Sequence, residues 1–481
     1  MRCSCMRTET PGHGRGRLRP DAAPAGTLEA AARGERRLFP RMAHPATALV
    51  LSFLLVIALG TLMLMLPWAR SAGVRADALT ALFTATSAVC VTGLVVVDTG
   101  SYWSAFGQAT ILGLIQLGGF GIMTSATLFG LVVNRQLRLR SRLLLQAETR
   151  SLALGDVRSI AWVILAVTLG IELVVAAVLA LRFAFGHGMA WGEALWQGLF
   201  HAVSAFNNAG FSTWPDSLTG YVRDAGVLVP VMLAIVVGGL GFPVLHELFV
   251  RRRQASHRYT MHTVLTLWGS AALVLGGAVI LLLAESAGGG TLAPLAWPGR
   301  VLAALFTSVS ARTAGFNVVD IGALRPESLA LHYTLMFIGG GSASTAGGVK
   351  VTTFCVLLLI VWNEIRGHRD VEFRGRRIAS TVQRQALTIL VLGATVVVTA
   401  VLLLLPMTGM PFEKVLFEVI SAFATVGLST GITPDLPDGG KYVLSALMFA
   451  GRTGTMTLAA ALAIRERRRV IRMPNERPVI G

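Results

Sequence analysis

One chain ending, written four times, constrains this fold more than any other feature. A short apolar run within Thr307–Phe316 closes as Ser310-Ala311-Arg312-Thr313-Ala314-Gly315-Phe316. The ending returns as Ala205-Phe206-Asn207-Asn208-Ala209-Gly210-Phe211 and Ala422-Phe423-Ala424-Thr425-Val426-Gly427-Leu428, and more loosely as Ala88-Val89-Cys90-Val91-Thr92-Gly93-Leu94. The four glycines recur roughly every 110 residues, which marks an internal repeat of one supersecondary unit. The rest of the chain reads as a frame that brings the four glycine turns together.

Composition says what the frame is made of. Of 481 residues, 54% are hydrophobic and 14% charged, and the mean hydropathy is +0.66. A soluble chain carries roughly a quarter charged residues, so this is a polytopic membrane protein. A spanning helix needs about 20 mainly apolar residues. Eight runs qualify: Ala48–Leu66, Ala105–Val133, Ile160–Leu181, Ala225–Val250, Val264–Leu283, Leu329–Trp362, Ala386–Leu405 and Tyr442–Ile464. Between the members of each pair lies a shorter run: Ala78–Val89, Ala194–Ala205, Val301–Ser310 and Phe412–Phe423. A helix of about 12 residues reaches about 18 Å, short of a hydrocarbon core of about 30 Å. Each repeat is therefore expected to be helix, re-entrant half-helix with its glycine turn, helix. The expected division is a disordered tail over 1–44, then repeats over 45–158, 159–261 and 262–384. A fourth repeat with a basic C-terminal tail fills 385–481.

The net charge of +17 would by itself be compatible with nucleic acid, but its placement argues otherwise. The connectors Asn134–Arg158, Arg251–Met261 and Arg366–Arg384 and the tail Arg465–Gly481 hold nearly three times the Lys/Arg of the opposite side. The positive-inside rule puts them and both termini in the cytoplasm, with the half-helices entering from outside. The charge is then topology and lipid-surface contact, and no nucleic-acid partner is expected. Residues 1–42 lack a signal-peptide apolar run. They read as a cytoplasmic tail or an over-extended start before Met42; acylation of Cys3 or Cys5 is the sharper alternative. Cys3, Cys5, Cys90 and Cys355 form no metal-ligand spacing, so neither zinc nor a disulfide framework is expected.

Non-helical backbone at membrane depth survives only when buried in protein or lining a watery cavity. Four such turns suggest a shared axis. Each half-helix would point its partially negative C-terminal end inward, which favours a cation. The turns would then offer rings of backbone carbonyls in place of a hydration shell. Glycine suits the turn because it takes positive φ without a Cβ penalty. The competing reading is close helix packing on small residues.

The motifs Cys90-Val91-Thr92-Gly93-Leu94, Asn207-Asn208-Ala209-Gly210-Phe211, Arg312-Thr313-Ala314-Gly315-Phe316 and Ala424-Thr425-Val426-Gly427-Leu428 resemble the filter loops of the Trk/Ktr/HKT superfamily of potassium transporters. The resemblance runs from about Pro45 to Ile464. It implies an all-α membrane fold of four pseudo-symmetric helix–pore-loop–helix repeats around a central, potassium-channel-like pore. Filter carbonyls are then expected from Val91, Thr92 and Gly93; Asn208, Ala209 and Gly210; Thr313, Ala314 and Gly315; and Thr425, Val426 and Gly427. Relatives with serine at the first filter glycine tend to favour sodium, so Gly93 points to potassium.

Within Leu329–Trp362, the run Gly339, Gly340, Gly341, Ser342, Ala343, Ser344, Thr345, Ala346, Gly347, Gly348 is a poor helix, since each Gly costs up to about 1 kcal/mol relative to Ala. It reads as a break in mid-membrane, or as a small-residue packing site; the resemblance makes it a gate below the filter. Lys350 follows it at a depth where charge is expensive. Arg452 lies mid-span, where an arginine costs about 2.5–3.5 kcal/mol and marks a paired or water-lined site. The resemblance puts it in the pore, forming a barrier with the gate. Arg312, just before a filter strand, reads either as pairing with a carboxylate that braces the filter or as purely structural, and His201 and Gln197 are expected to anchor the second half-helix. Glu172 is a hydrogen-bonded structural carboxyl or a sodium or proton site. His246, Glu247 and Glu364 are read as partner contacts.

In the Trk branch two extra spans precede the first repeat, whereas here a polar tail precedes Ala48, so the chain resembles the Ktr membrane subunit (KtrB type). That branch implies a homodimer in the plasma membrane, docked on a cytoplasmic nucleotide-binding ring (KtrA type). This chain carries no nucleotide motif, neither GxxxxGK[ST] nor GxGxxG after a strand. The expected cargo is K+, with Na+ a candidate second ion and no organic cofactor. A membrane-embedded enzyme would need convergent His, Asp, Glu or Cys groups at depth, which the spans largely lack. A sodium-preferring or non-selective cation pathway stays open, and a scaffold would predict tolerance of bulk at the four glycines.

Overall fold

A backbone in hydrocarbon has only itself for hydrogen bonding, and this chain answers with helix almost throughout. The structure, a computed structural model, describes residues 45–141, 156–251, 259–287 and 289–464. The tail over 1–44 with Cys3 and Cys5, the stretches 142–155 and 252–258, and the C-terminal residues from 465 lie outside the described residues.

The first unit is α1 (Pro45–Leu64), the half-helix α2 (Ala78–Val89), the short α3 (Thr99–Tyr102) and α4 (Ala105–Ser141). The second is α5 (Asp156–Leu181), the half-helix α6 (Trp191–Phe206), α7 (Ala225–Leu240) and α8 (Phe242–Arg251). The third is α9 (Met261–Ser286), the half-helix α10 (Trp297–Ser310), α11 (Pro326–Phe337) and α12 (Val351–Ile365). The fourth is α13 (Ser380–Thr408), the half-helix α14 (Phe412–Phe423) and α15 (Asp438–Ile464). A two-stranded hairpin, β1 (Glu372–Phe373) with β2 (Arg376–Arg377), joins the third unit to the fourth. All four short runs of the sequence are thus half-helices.

Local chemistry sets where these helices start and stop. The Asp77 carboxylate accepts from the Leu79 and Thr80 amides (3.1 and 3.3 Å), satisfying donors that the first turn of α2 leaves free. Asp224 caps α7 in the same way through Gly226 (2.8 Å), and α13 ends on Gly409 in the left-handed region. The half-helices set the packing order. Each touches the second span of the preceding unit: α6 on α4, α10 on α7, α14 on α11, and α2 on α15. That last contact closes the circle.

Among the described residues, two spans are broken. The sequence reads Ala225–Val250 as one helix, but it bends by 102° between α7 and α8. Gly241 at the bend has φ 90°, which no helix accommodates, and the third unit's glycine-rich segment packs into the notch. A Cβ on Gly241 would lie 2.5 Å from the Ser342 carbonyl oxygen, and the Phe242 amide donates to the Ala343 carbonyl (3.3 Å). The second break separates α11 from α12 over residues 338–350, where the glycine content called for it. Its ends are tied together by Gly339 N–H to Val349 O (2.9 Å) and Val349 N–H to Phe337 O (3.1 Å).

Candidate functional site

The four half-helices end alike. A backbone amide five residues on returns to the carbonyl of a serine: Thr92 to Ser87 (2.8 Å), Ala209 to Ser204 (2.7 Å), Gly315 to Ser310 (3.3 Å) and Val426 to Ser421 (2.8 Å). This wraps the helix end as a C-terminal cap does, but the left-handed residue is not the glycine. It is Val91 (φ 56°), Asn208 (58°), Thr313 (72°) or Thr425 (49°), always two residues before the glycine. Left-handed backbone in a non-glycine residue costs about 1–3 kcal/mol, and β-branched residues tolerate it worst. The glycines themselves sit at φ 90°, 69°, 81° and 93°, with Thr92, Ala209, Ala314 and Val426 at negative φ between. Alternating the sign of φ turns successive carbonyls toward one side of the chain.

The glycines show where that side faces. A Cβ on Gly93 would lie 2.3 Å from the Ala209 carbonyl oxygen, and one on Gly210 would lie 2.7 Å from that of Ala314. One on Gly315 would lie 2.4 Å from that of Val426, and one on Gly427 would lie 2.1 Å from that of Thr92. Each loop leans on the next in chain order and the fourth returns to the first. Where the loops meet, main-chain oxygen and glycine Cα of the neighbouring loop leave no room for a side chain on these glycines. The hydroxyls of Thr92, Thr313 and Thr425 are buried in these loops without a hydrogen-bond partner among the described residues.

Serine fixes each loop from behind, a role that sequence reading missed although the residue recurs before every glycine. Ser87 and Ser421 accept from the Gly93 and Gly427 amides (3.1 Å each). Ser204 and Ser310 instead donate to the Phe211 and Phe316 carbonyls (2.8 and 2.6 Å). Loops 1 and 4 therefore form one pair and loops 2 and 3 another. Also missed were glycines on the second spans. Gly118, Gly238 and Gly451 let the last half-helix carbonyls, Val89, Phe206 and Phe423, approach to 2.1, 1.9 and 1.8 Å of a would-be Cβ.

Loops 2 and 3 carry further braces. The Asn207 amide donates to Glu172 (2.9 Å), Gln116 (2.9 Å) and the Val203 carbonyl (2.9 Å), and Gln116 donates to Glu172 (3.1 Å). Glu172 is thus a hydrogen-bonded carboxyl joining α4, α5 and loop 2. With its amide oriented to donate, Asn208 reaches the Ile235 and Ala205 carbonyls (3.1 and 3.2 Å). Arg312 donates to the Ser270 carbonyl and hydroxyl (3.3 Å each) and the Gly339 carbonyl (2.9 Å) rather than to a carboxylate. The third loop is so fastened directly to the broken segment.

Above the ring, His201 bonds Ser212 (3.0 Å) and stacks on Trp214 (4.1 Å between centroids), while Gln197 accepts from Thr213. At the matching register of α14, Glu418 accepts from Ser429 (2.5 Å), Thr430 (3.0 Å) and Thr433 (2.9 Å). Beyond the spans, burial disfavours the Asp224 carboxylate, yet hydrogen bonds from Arg182 (2.9 Å) and His187 (2.7 Å) hold it below its ordinary value.

Residues 339–348 lie against the loops. A Cβ on Gly347 would sit 2.0 Å from the Thr425 hydroxyl, and one on Gly339 would sit 3.3 Å from the Thr313 methyl. The Thr345 hydroxyl reaches the Phe206 carbonyl (3.3 Å), Ser344 bonds Gly341 (2.6 Å), and the Gly341 amide bonds Gly239 (2.8 Å). A Cβ on Gly340 would meet the Gly239 carbonyl at 2.6 Å, and Gly348 takes φ 64°. Lys350 donates to the Ala346 carbonyl (2.6 Å). Arg452 is 3% exposed, its three nitrogens have no partner among the described residues, and it lies within electrostatic range of Cys90 and Lys350. Not every candidate joins the site: Glu247 bonds Thr260 (2.9 and 2.7 Å) and Thr263 and serves the start of α9. Glu364 is exposed at the end of α12.

A family model described as "TrkH: Cation transport protein" matches residues 23–470. The chain belongs to that family. It is 38% identical to the Ktr system potassium uptake protein B of Bacillus subtilis over 90% of this chain and 95% of that one. Identity to the protein of the same name from Vibrio alginolyticus is 36%, over 90% and 94%. The potassium/sodium uptake protein NtpJ of Enterococcus hirae is 35% identical, over 88% and 94%. The crystal structure of the potassium transporter TrkH from Vibrio parahaemolyticus shares the fold, with a TM-score of 0.67 at 20% identity over 88% and 85% of the two chains. The TrkH-family assignment makes this chain a multi-pass membrane transporter.

Proposed function

We propose that this chain is the ion-translocating subunit of a potassium uptake system in the cell membrane, with both termini cytoplasmic. One observation carries the reading: the glycine of each loop abuts a carbonyl of the next until the ring closes. Rings of backbone oxygen replace the hydration shell of a cation and need no side-chain charge. In this reading the filter oxygens belong to Val91–Gly93, Asn208–Gly210, Thr313–Gly315 and Thr425–Gly427, and Thr313 and Thr425 add hydroxyls at the inner end. The segment Gly339–Gly348, with Lys350 and Arg452, is the gate beneath. The repeats divide at 45–158, 159–261, 262–384 and 385–481.

The relatives named as Ktr system components support a system of more than one component. In this reading the chain is a homodimer working with a cytoplasmic nucleotide-binding ring, and uptake depends on sodium. A second reading, transport of sodium as well as potassium, is favoured by the name of the Enterococcus hirae relative. The test is growth and potassium uptake in a bacterial strain without its own importers, expressing this chain with and without a ring partner, in low potassium, with and without sodium. Rescue that requires Gly93, Gly210, Gly315 and Gly427 supports the filter. No rescue by folded protein in the membrane refutes potassium as the cargo.

A further inference from the structure

The hairpin between the third and fourth units is basic and packed at its base. Its turn uses Arg374 (φ 51°) and Gly375 (φ 71°), the paired positive φ of a tight two-residue turn. Val371 and Ile378 at its base are buried with Leu265, Val356 and Ala386. The Ile378 amide donates to the Val371 carbonyl (2.9 Å), and Asn363 holds Glu372 from the side. Arg366, Arg369, Arg374, Arg376 and Arg377 are all exposed here. Arg366 lies 4.6 Å over the ring of Trp362, itself 54% exposed, as interfacial side chains do.

Beside the hairpin a cavity of about 410 Å³ opens between α9, α12 and α13. Arg377 stands on its lining, exposed and paired on one side with Asp370 (2.8 Å); Leu265, Ala386 and Ile389 make it apolar, and Thr352 forms part of the wall. His262 also lines it, with a buried Nε2 that has no hydrogen-bond partner among the described residues. We propose that this cavity binds an anionic phospholipid, its phosphate on Arg377, its glycerol-ester region on His262 and an acyl chain along Leu265, Ala386 and Ile389. Basic groups at the rim of an apolar cleft in membrane spans match that amphipathic chemistry. An acidic protein surface would satisfy the arginines but leave the cleft empty. Two copies of this chain meeting here would oppose like charges.

The site also reaches the broken span. The Thr352 hydroxyl in its wall bonds the Ser342 hydroxyl (2.9 Å), so a bound lipid supports the segment Gly339–Gly348 from the side. Only this effect on flux rests on the gate assignment; lipid binding does not.

The test uses the purified full chain with phosphatidylglycerol, phosphatidylcholine or chain-free glycerol phosphate, read by native mass spectrometry and thermal stability. Phosphatidylglycerol is expected to be retained and to raise the melting temperature, and glycerol phosphate to do neither. Arg377→Gln should weaken that retention about tenfold, the loss of one charge-assisted contact. Ala386→Trp, and Ile389→Trp in case the first misfolds, should fill the cleft and abolish it. Equal retention by all variants overturns the site. So does loss with Arg377→Gln alone, which describes a headgroup surface without a cleft, or a shift in oligomeric state with the filled variants, which describes a subunit contact. In vesicles, flux should respond to phosphatidylglycerol in the unmodified chain and not in Arg377→Gln. Absence of any flux would count against the transport reading and leave the retention result standing.

Discussion

Replacing Gly93 by serine should relax the preference for potassium over sodium, because the ring has no room for the new side chain. The new Cβ would fall 2.3 Å from the Ala209 carbonyl oxygen and 3.1 Å from the Gly210 Cα, both main chain. An ordinary carbon–oxygen contact needs about 3.3 Å, so the carbonyl must retreat by about 1 Å. The serine must also hold φ near 90°, at about 1–3 kcal/mol of strain. If about 1.4 kcal/mol of this reaches the ion site, discrimination falls tenfold. Competitive uptake of potassium against sodium by cells or vesicles measures the ratio. Gly431 supplies the control: its φ is 91°, yet nothing lies within 4 Å of its would-be Cβ, so Gly431→Ser carries the strain without the ring contact. Across the ring, damage should follow the clearances, Gly427 (2.1 Å) before Gly93, Gly315 (2.4 Å) and then Gly210 (2.7 Å). Unchanged selectivity in Gly93→Ser, or equal loss in Gly431→Ser, refutes the reasoning.

Other perturbations test the supports separately. Gly451→Ala, with its Cβ 1.8 Å from the Phe423 carbonyl, should lower the melting temperature markedly, whereas Gly170→Ala, with open space, should be silent; equal melting temperatures would contradict the packing. Glu172→Leu strands the Gln116 amide at about 1–3 kcal/mol and removes one of the three acceptors of the Asn207 amide, and should lower both stability and selectivity; full selectivity in the variant would remove Glu172 from the filter's support. Arg452→Ala, or deletion of 340–347, should raise potassium flux several-fold by removing the barrier; reduced flux with normal folding would sink the gate assignment.

The sequence by itself determined the membrane class, four repeats and the half-helices Ala78–Val89 and Phe412–Phe423, because length, hydropathy and repetition are properties of local pattern. The break before α12 was legible for the same reason: glycine weakens helix wherever it clusters. The sequence pattern of Ala225–Val250 predicted a straight span, because Gly241 bends it only once Ser342 and Ala343 from another unit pack into the notch. Arg312 by pattern alone fits a carboxylate partner or a structural role equally, and its partners are the carbonyls of Ser270 and Gly339. Which loop leans on which, Gly93 on Ala209 through to Gly427 on Thr92, was decided only in three dimensions. Those contacts join residues from different repeats, and no local pattern of helix or turn encodes a clearance between two distant main chains.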